Sequence, residues 1–285
     1  MATARTRLAG GYRNQVWKVR DGRGFVIEKD YAEDPGRPNP MYPNLPDHEA
    51  AAMQHLAGTG CAPELVSYRP ASLGVGAQVA YRYVSGTQWR SGVADVARLL
   101  HEVHSSPAPR SMRRLHRSAA EALAHADAMV ADTPVASLRR TTESARPTAA
   151  RTTPPQRVSL VHTDCGPGNI VRTRHGLVLI DWQCPGVGDA VEDVTCFLSP
   201  AMMHLYDTPA HRPPARAEFL ASYTDRATVE RYLRDGAAWH YRIAAYCTWR
   251  IPHTSRRQPE VAQRYREALA AELTFLRAWS FVEAR

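Results

Sequence analysis

The stretch His162-Thr163-Asp164-Cys165-Gly166-Pro167-Gly168-Asn169 is the part of the sequence that decides the fold. A compact apolar strand is predicted just before it, at residues 158–161, and a second one after it, at residues 177–180. The second strand ends at Asp181, and a short turn around His175-Gly176 precedes it. Because such a turn folds the chain back on itself, we expect Asn169 and Asp181 to lie close together.

These side chains are the ones that phosphoryl transfer from a nucleotide requires. One carboxylate orients the attacking hydroxyl and accepts its proton, while amide and carboxylate oxygens hold Mg²⁺ on the phosphates. Asp164 suits the first role, and Asn169 and Asp181 suit the second. Alternatively, Asp164 and Asn169 are only turn residues around the Gly-Pro-Gly sequence, but the neighbouring His162 and the strand ending at Asp181 favour the functional interpretation. We expect His162 to brace the loop rather than to exchange protons.

Three features near the N-terminus can complete a nucleotide site. The sequence Gly10-Gly11-Tyr12-Arg13-Asn14 precedes a predicted strand, and its glycines would let the backbone approach phosphates, although glycine turns between strands are common. Lys29 follows the β-prone residues 25–28 and either binds phosphates as a point charge or lies at the surface. Glu49 falls in the first turn of the next predicted helix, where it pairs with Lys29 or only stabilises the helix N-terminus.

The hydrophobic pattern changes from β-rich to helical near Ser85-Gly86. Before this point we predict a β-meander over residues 8–30, a helix over 48–57 capped by Asp47, and strands at 64–68 and 78–84. After it, helices are predicted at 93–103, 118–130, 228–250 and 258–279, and much of residues 133–157 is predicted to be loop. The pattern predicts an α+β protein with domains 1–86 and 87–285 and a ligand cleft between them.

Composition excludes several classes of protein. The chain has 285 residues with ordinary globular composition, 44% hydrophobic and 22% charged, and no apolar run of the roughly 20 residues that a membrane span needs. No apolar signal-peptide core is present near the start, so we expect a soluble, cytoplasmic protein. Five cysteines without a Cys-x-x-Cys pair argue against disulfides or structural zinc. A nucleic-acid-binding role would depend only on the net charge of +8, because no matching motif accompanies it.

The motifs together resemble the aminoglycoside phosphotransferase and choline/ethanolamine kinase superfamily. The resemblance covers nearly the whole chain and depends on Leu8-x-Gly10-Gly11-x-x-Asn14, Lys29, Glu49, His162-x-Asp164-x-x-x-x-Asn169 and Ile180-Asp181-Trp182, in this order. It implies a protein-kinase-like fold with a small β-rich N-terminal lobe and a larger, mainly helical C-terminal lobe. It also implies ATP and Mg²⁺ as cofactors and a small molecule with a hydroxyl group as acceptor, with no nucleic acid or membrane partner.

The same resemblance implies a role for each motif residue. Asp164 would be the catalytic base, Asn169 and Asp181 the magnesium ligands, and Lys29 the contact to the ATP phosphates, supported by Glu49. The segment around Tyr83 and Val84 resembles the hinge that holds adenine through backbone groups. Gly188-Asp189-x-x-x-Asp193 resembles the family's helix start, where Asp193 is expected to be structural. No Ala-Pro-Glu segment follows Asp181, so a protein substrate is not expected.

The acceptor is the least determined part of the prediction. The glycine loop resembles the choline, ethanolamine and thiamine kinase branch, although Gln183 stands where choline-kinase-like members often have glutamate. Trp239, Tyr246 and Trp249 share a helical face that could cage a quaternary ammonium group, but Arg242 interrupts the face and the aromatic residues could simply be core. The predicted acceptor is a choline- or ethanolamine-like amino-alcohol, and the candidate residues for binding it are Gln183, Trp239, Arg242, Tyr246 and Trp249. An aminoglycoside acceptor and a catalytically silent nucleotide-binding module are the alternatives.

Overall fold

A computed structural model describes residues 5–8, 14–32, 38–148, 154–254 and 258–283. Within this part of the chain, an antiparallel sheet is followed by a mainly helical remainder, which confirms the predicted α+β class. No helix in the described ranges is long and apolar enough to cross a membrane.

Five antiparallel strands form the N-terminal sheet, in the spatial order β1-β2-β3-β5-β4. They are β1 (Arg5–Arg7), β2 (Gln15–Asp21), β3 (Gly24–Asp30), β4 (Leu65–Arg69) and β5 (Gln78–Arg82). The turn between β2 and β3 is the predicted one, since the Arg23 N–H donates to Asp21 Oδ1 at 2.9 Å and Gly24 has a φ of 134°. The resulting register pairs Lys29 with Val16 on one side and with Val79 on the other, which places Lys29 in the centre of the sheet.

Helix α1 (Pro46–His55) packs against β4 and β5 and carries the buried Glu49. The predicted cap at Asp47 is wrong, because the helix begins at Pro46 and Leu45 occupies the capping position without a side-chain bond. Proline is favourable at this first position, where its missing N–H would have no partner in any case.

Two small sheets hold the loops of the predicted catalytic centre. One has the order β6-β8-β9, with β6 (Thr87–Gln88), β8 (Ile170–Thr173) and β9 (Gly176–Leu179), and the other pairs β7 (Ser159–Val161) with β10 (Gly186–Gly188). The turn near Gly176 joins β8 to β9 as predicted, and Ile170 lies opposite Leu179. Asn169 and Asp181 therefore flank the open end of one hairpin. The domain boundary at residue 86 stays a prediction.

Eight helices of the described chain follow β6. They are α2 (Val93–Ser105), α3 (Ala119–Ala131), α4 (Ala136–Glu143), α5 (Val191–Leu198), α6 (Pro200–Leu205), α7 (Pro213–Ser222), α8 (Arg226–Thr254) and α9 (Pro259–Glu283). The long helix α8 contacts α3, α5 and α9 and is buried over most of residues 238–249, so it forms the centre of the core. All five cysteines are buried and unpaired.

Helix α4 corrects the prediction that much of residues 133–157 is loop. Its sequence has few large apolar residues, but the buried Thr142 hydroxyl lies 2.6 Å from the Thr248 hydroxyl on α8. A tertiary contact of this kind stabilises a short helix whose own sequence favours it only weakly. Residues 149–153 of this segment lie outside the described residues.

Candidate active site

A cavity of about 490 Å³ lies between the N-terminal sheet and the loops that follow β7 and β9. It brings together most of the residues that the sequence motifs singled out. Those that line it are Asn14, Lys29, Tyr83, Val84, Asp164, Asn169, Asp181, Gln183 and Tyr246. Gly10 and Gly11 lie outside the described residues.

The loop after β7 is held by a buried carboxylate. The backbone N–H groups of His162 and Thr163 each donate to Asp193 at 2.8 Å. Thr163 has a φ of 71°, a strained conformation for a β-branched residue, and its hydroxyl donates to the Cys184 carbonyl at 2.9 Å. These contacts fix the backbone immediately before Asp164, and they place Asp193 in the structural position that the sequence predicted.

His162 braces the same loop, in the way that the sequence predicted. Its Nε2 lies 3.0 Å from the Ile180 carbonyl, and its Nδ1 accepts the Asp164 N–H at 3.2 Å. Nε2 is therefore the protonated nitrogen, because a carbonyl can only accept. Burial lowers the pKa of His162, although the Asp193 carboxylate opposes the shift. A neutral ring thus connects the loop of Asp164 to the strand end at Asp181.

Asp164 is half-buried and has defined neighbours. Its Oδ1 accepts a hydrogen bond from the Tyr206 hydroxyl at 3.0 Å. The side-chain nitrogen of Asn169 donates to the Asp164 carbonyl at 2.7 Å and to the Tyr206 oxygen at 3.2 Å. Burial, together with the nearby Asp181 carboxylate, raises the pKa of Asp164 to about 7. A carboxylate with such a pKa can accept a proton near neutral pH.

Lys29 joins the N-terminal sheet to Asp181. Its Nζ lies 2.5 Å from Asp181 Oδ1 and 3.2 Å from Glu49 Oε1, and Lys29 and Glu49 are both buried. Burial alone would lower the pKa of Lys29, but the carboxylates of Asp181 and Glu49 outweigh it and hold the pKa above its ordinary value. Tyr31 donates to the other oxygen of Glu49. A fixed ammonium group therefore lies in the cavity, opposite the loop of Asp164.

The donors in this cavity fit Mg²⁺, which prefers hard oxygen ligands and one or two carboxylates combined with phosphate oxygens. The Asn169 amide nitrogen is engaged with the Asp164 carbonyl and Tyr206, so Oδ1 is the oxygen it can offer a metal ion. Asp181 follows β9 with a φ of 62°, and its Oδ1 faces Lys29. No cluster of three or more His, Cys, Asp or Glu side chains suited to a metal occurs in the described ranges, so phosphate oxygens would have to complete the ligand set.

Asn14, at the end of the predicted glycine loop, and Gln183, two residues after the predicted magnesium ligand Asp181, are also in contact. The Asn14 amide nitrogen donates to Asn44 Oδ1 at 2.8 Å and lies 3.3 Å from Gln183 Oε1. Gln183 also accepts the Leu45 N–H at its backbone carbonyl at 2.9 Å. Both residues line the cavity, and their contacts tie the start of β2 to the chain that follows Asp181.

Of the four predicted acceptor residues on α8, only Tyr246 lines the cavity. Trp239 is buried with its ring edge against His116, at 6.3 Å between ring centroids. Trp249 donates from Nε1 to Asp132 Oδ2 at 2.7 Å and stacks on His253. The predicted aromatic cage of Trp239, Tyr246 and Trp249 is therefore not formed, because neighbouring helices cover the part of α8 that carries Trp239 and Trp249.

Arg242 also lies away from the cavity, which corrects its prediction as an acceptor residue. Its Nη1 donates to Glu192 Oε1 at 2.8 Å, and its Nε donates to His125 Nδ1 at 2.9 Å. Arg242 and Glu192 are both buried, so they form an internal ion pair between α8 and α5.

Apart from Tyr246, sequence patterns missed the residues that line the other half of the cavity. This surface, which we call the acceptor half, is formed by Asn39, Tyr42, Met202, Leu205, Tyr206, Tyr246, Arg250, Val261, Arg264 and Tyr265. The sequence contained one signal for this surface: Arg250 lies four residues after the predicted Tyr246 and therefore on the same face of α8. Tyr206 has no such signal, since it follows α6 and reaches Asp164 only through the tertiary fold.

Comparisons with known proteins agree with this geometry. The family model described as the phosphotransferase enzyme family matches residues 4–240. No curated protein sequence matches the chain significantly. A choline/ethanolamine kinase family protein from Mesorhizobium loti has a TM-score of 0.64 at 15% identity, over 97% of this chain and 87% of that one.

Two further solved structures have the same architecture. Choline kinase from Cryptosporidium parvum has a TM-score of 0.65 at 12% identity, over 98% of this chain and 89% of that one. A spectinomycin phosphotransferase in complex with ADP and spectinomycin has a TM-score of 0.58 at 12% identity, over 96% and 92%. At these identities the similarity establishes the kinase-like fold, whereas the family model covers most of the sequence itself. The chain belongs to the phosphotransferase enzyme family.

Proposed function

We propose that this phosphotransferase is an ATP-dependent kinase that transfers the γ-phosphoryl group to a hydroxyl of a small metabolite. The observation that carries the proposal is the position of the Lys29 ammonium group, 2.5 Å from Asp181 in the cavity that Asp164 also lines. A fixed cation, a metal-binding carboxylate and a base in one cavity are the parts that phosphoryl transfer uses. The spectinomycin phosphotransferase of the same fold binds ADP, which supports a nucleotide as donor.

In this proposal, each half of the cavity binds one substrate. Apolar side chains would enclose the adenine, namely Leu8, Val16, Ile27, Val171 and Ile180. The Tyr83 N–H already donates to the Phe25 carbonyl at 3.0 Å, so the Tyr83 carbonyl and the Val84 N–H would bind the adenine edge. Lys29 would contact the phosphates, and Glu49 would keep its ammonium group in place.

Asn169 and Asp181 would hold Mg²⁺, which when bound neutralises phosphate charge and orients the transferred group. Asp164 would accept the hydroxyl proton of the acceptor, because it is the other carboxylate lining the cavity and its pKa of about 7 suits proton transfer. Positioning and charge neutralisation would then supply most of the rate enhancement.

An amino-alcohol acceptor of the choline or ethanolamine type stays a prediction, and it has lost the support of Trp239 and Trp249. An aminoglycoside acceptor would need acidic groups for its several ammonium groups. Asp164 and Asp181 are the carboxylates that line the described cavity, and both have roles in transfer. The acceptor class is better inferred from the residues of the acceptor half.

ADP release from Mg-ATP, measured over a panel of small hydroxyl compounds, tests the proposal. We expect acceptor-dependent turnover that Asp164→Asn abolishes while ATP still binds, and loss of Mg-dependent ATP affinity in Asp181→Ala. Asp127→Asn is the matched control, because Asp127 is an exposed carboxylate paired with Arg146 at 2.8 Å. Near-normal turnover by Asp164→Asn would show that Asp164 is not the base. Nucleotide binding without turnover would instead favour the catalytically silent module.

A further inference from the structure

We propose that the acceptor carries an anionic group, a carboxylate or a phosphate, which Arg250 and Arg264 bind in the acceptor half of the cavity. This inference deepens the proposed kinase function and rests on it. It concerns the end of the cavity that faces α8 and α9, which contribute Arg250 and Arg264 respectively.

The charges that line the cavity are unevenly distributed. The carboxylates of its described lining are Asp164 and Asp181, and both belong to the end where phosphoryl transfer would occur. The acceptor half has no carboxylate among its described residues, but it has two guanidinium groups. Arginine keeps its charge at all physiological pH values, so this half of the cavity is positive.

Among the described residues, Arg250 lacks the partners that a half-buried arginine usually has. Its Nε is buried and makes no hydrogen bond, and no ion pair reaches its guanidinium from the described residues. Its one neighbour of note is Tyr265, whose ring centroid lies 5.8 Å from the guanidinium carbon. A cationic group without a partner is unfavourable, and an anionic group of the acceptor beside this guanidinium would compensate its charge.

Arg264 has donors left for a ligand. Its Nη2 donates to the Leu205 carbonyl at 2.7 Å and to Asp207 Oδ1 at 3.0 Å, which fixes one edge of the group. The Asp207 side chain is 81% exposed, so this ion pair is screened by solvent and contributes little. In the described structure Nε and Nη1 make no hydrogen bond, so each of them can still donate to an anionic oxygen of a ligand.

A cationic acceptor is the competing possibility, because Tyr42, Tyr246 and Tyr265 also line this half. Cation–π contacts with these rings would favour a cationic ligand. Each guanidinium would repel a ligand cation, because the partly desolvated cavity screens like charges less than bulk water does. Arg250 has no carboxylate partner among the described residues, and Arg264 pairs with the exposed, solvent-screened Asp207. The two guanidinium groups therefore outweigh the tyrosine rings, and the charge favours an anion.

The test measures binding of defined probes to the full chain in the presence of Mg²⁺ and a non-hydrolysable ATP analogue. Glycerate and glycerol 3-phosphate supply a hydroxyl with a carboxylate or a phosphate, glycerol is their neutral counterpart, and choline is the cation. We expect at least one of the two anions to bind tenfold or more tightly than glycerol and choline. The stronger of the two identifies which anionic group the site prefers.

Substitutions then assign the binding to the two arginines. Arg250→Gln and Arg264→Gln should each weaken binding of the preferred anion at least tenfold and leave glycerol unchanged. Arg266→Gln is the matched control, because Arg266 is exposed on α9 and does not line the cavity. Arg250→Lys keeps the positive charge but loses the planar guanidinium group, so its affinity for the anion should be intermediate. This variant replaces Arg250→Gln in the test if circular dichroism shows that Arg250→Gln does not fold.

Several results would overturn the inference. The first is that choline or glycerol binds as tightly as both anions, and the second is that neither anion binds measurably. The third is that neither Arg250→Gln nor Arg264→Gln weakens binding of the anion. Failure of the kinase function gives a different result, namely no Mg-dependent ATP binding and no ADP release with any acceptor. Anion binding that depends on Arg250 would remain measurable in that case, so the two failures are distinguishable.

Discussion

The hydroxyl of Tyr206 donates a hydrogen bond to Asp164 Oδ1 at 3.0 Å. The Tyr206 ring lies directly on the loop of Asp164, because a Cβ atom at Gly166 or Gly168 would come within 2.1 or 2.3 Å of ring carbons. No side chain larger than hydrogen fits at these two positions while Tyr206 keeps its place. The two glycines of the catalytic motif thus allow a tyrosine from beyond α6 to contact the proposed base.

Tyr206→Phe tests whether this hydrogen bond positions the base. A hydrogen bond to a charged group contributes about 1.5–3 kcal/mol, so we expect kcat to fall roughly 10- to 100-fold while Mg-ATP affinity is unchanged. Steady-state kinetics that separate kcat from KM, together with calorimetry for the nucleotide, measure both. Tyr42→Phe is the control, since Tyr42 lines the same cavity but its hydroxyl makes one hydrogen bond within the described residues, to the Met202 sulfur at 3.7 Å. An unchanged kcat in Tyr206→Phe would exclude a positioning role.

Lys29→Met tests the buried charge cluster at the other side of the cavity. The substitution leaves Glu49 buried without its ammonium partner, and breaking a buried ion pair in this way costs about 3–5 kcal/mol. We expect a lower free energy of unfolding in urea, and loss of Mg-ATP affinity in the folded protein. The double variant Lys29→Met/Glu49→Leu should recover part of the stability but none of the nucleotide affinity. Recovery of both would mean that Lys29 has only a structural role.

Arg242→Leu tests the conclusion that Arg242 belongs to the core and not to the acceptor site. Glu192 would lose its buried partner, so we expect a loss of stability of about 3–5 kcal/mol, measured by urea unfolding. The folded fraction should keep its acceptor KM, because Arg242 does not line the cavity. Arg242→Leu/Glu192→Leu should regain part of the lost stability. A raised acceptor KM at unchanged stability would restore the role that the sequence suggested.

The sequence predicted which residues come together at the centre of the cavity, because they lie on short connected elements. Asn169 and Asp181 flank one hairpin, whose register follows from local turn and strand signals. Lys29 and Glu49 are only twenty residues apart and are joined by a sheet-helix contact, with a hydrogen bond of 3.2 Å between them. Local patterns are therefore sufficient to predict that each of these two pairs meets.

The acceptor half could not be predicted in this way because it depends on packing between distant helices. Trp239, Tyr246 and Trp249 share one approximate stripe on α8, yet only Tyr246 reaches the cavity, since neighbouring helices cover the rest of the helix. Tyr206 reaches Asp164 across 42 positions of sequence. Periodicity identifies the buried face of a helix but does not distinguish core from pocket.

The imidazole of His125 makes the stability of the fold depend on pH. Burial and the adjacent Arg242 lower the pKa of His125 from its ordinary value of 6.5 to about 4, and Arg242 donates to its Nδ1 at 2.9 Å. The unfolded chain binds a proton below pH 6.5 that the folded protein does not, so stability is full above this pH and falls until about pH 4. The ring is partly exposed, so we expect this residue to contribute a loss on the order of 1 kcal/mol. The free energy of unfolding in urea should differ less between pH 7 and pH 4.5 for His125→Gln than for the wild type. The control is His175→Gln, on the exposed β8-β9 turn, which should show the same pH dependence as the wild type. Equal pH dependence in the His125→Gln and wild-type proteins would contradict this assignment.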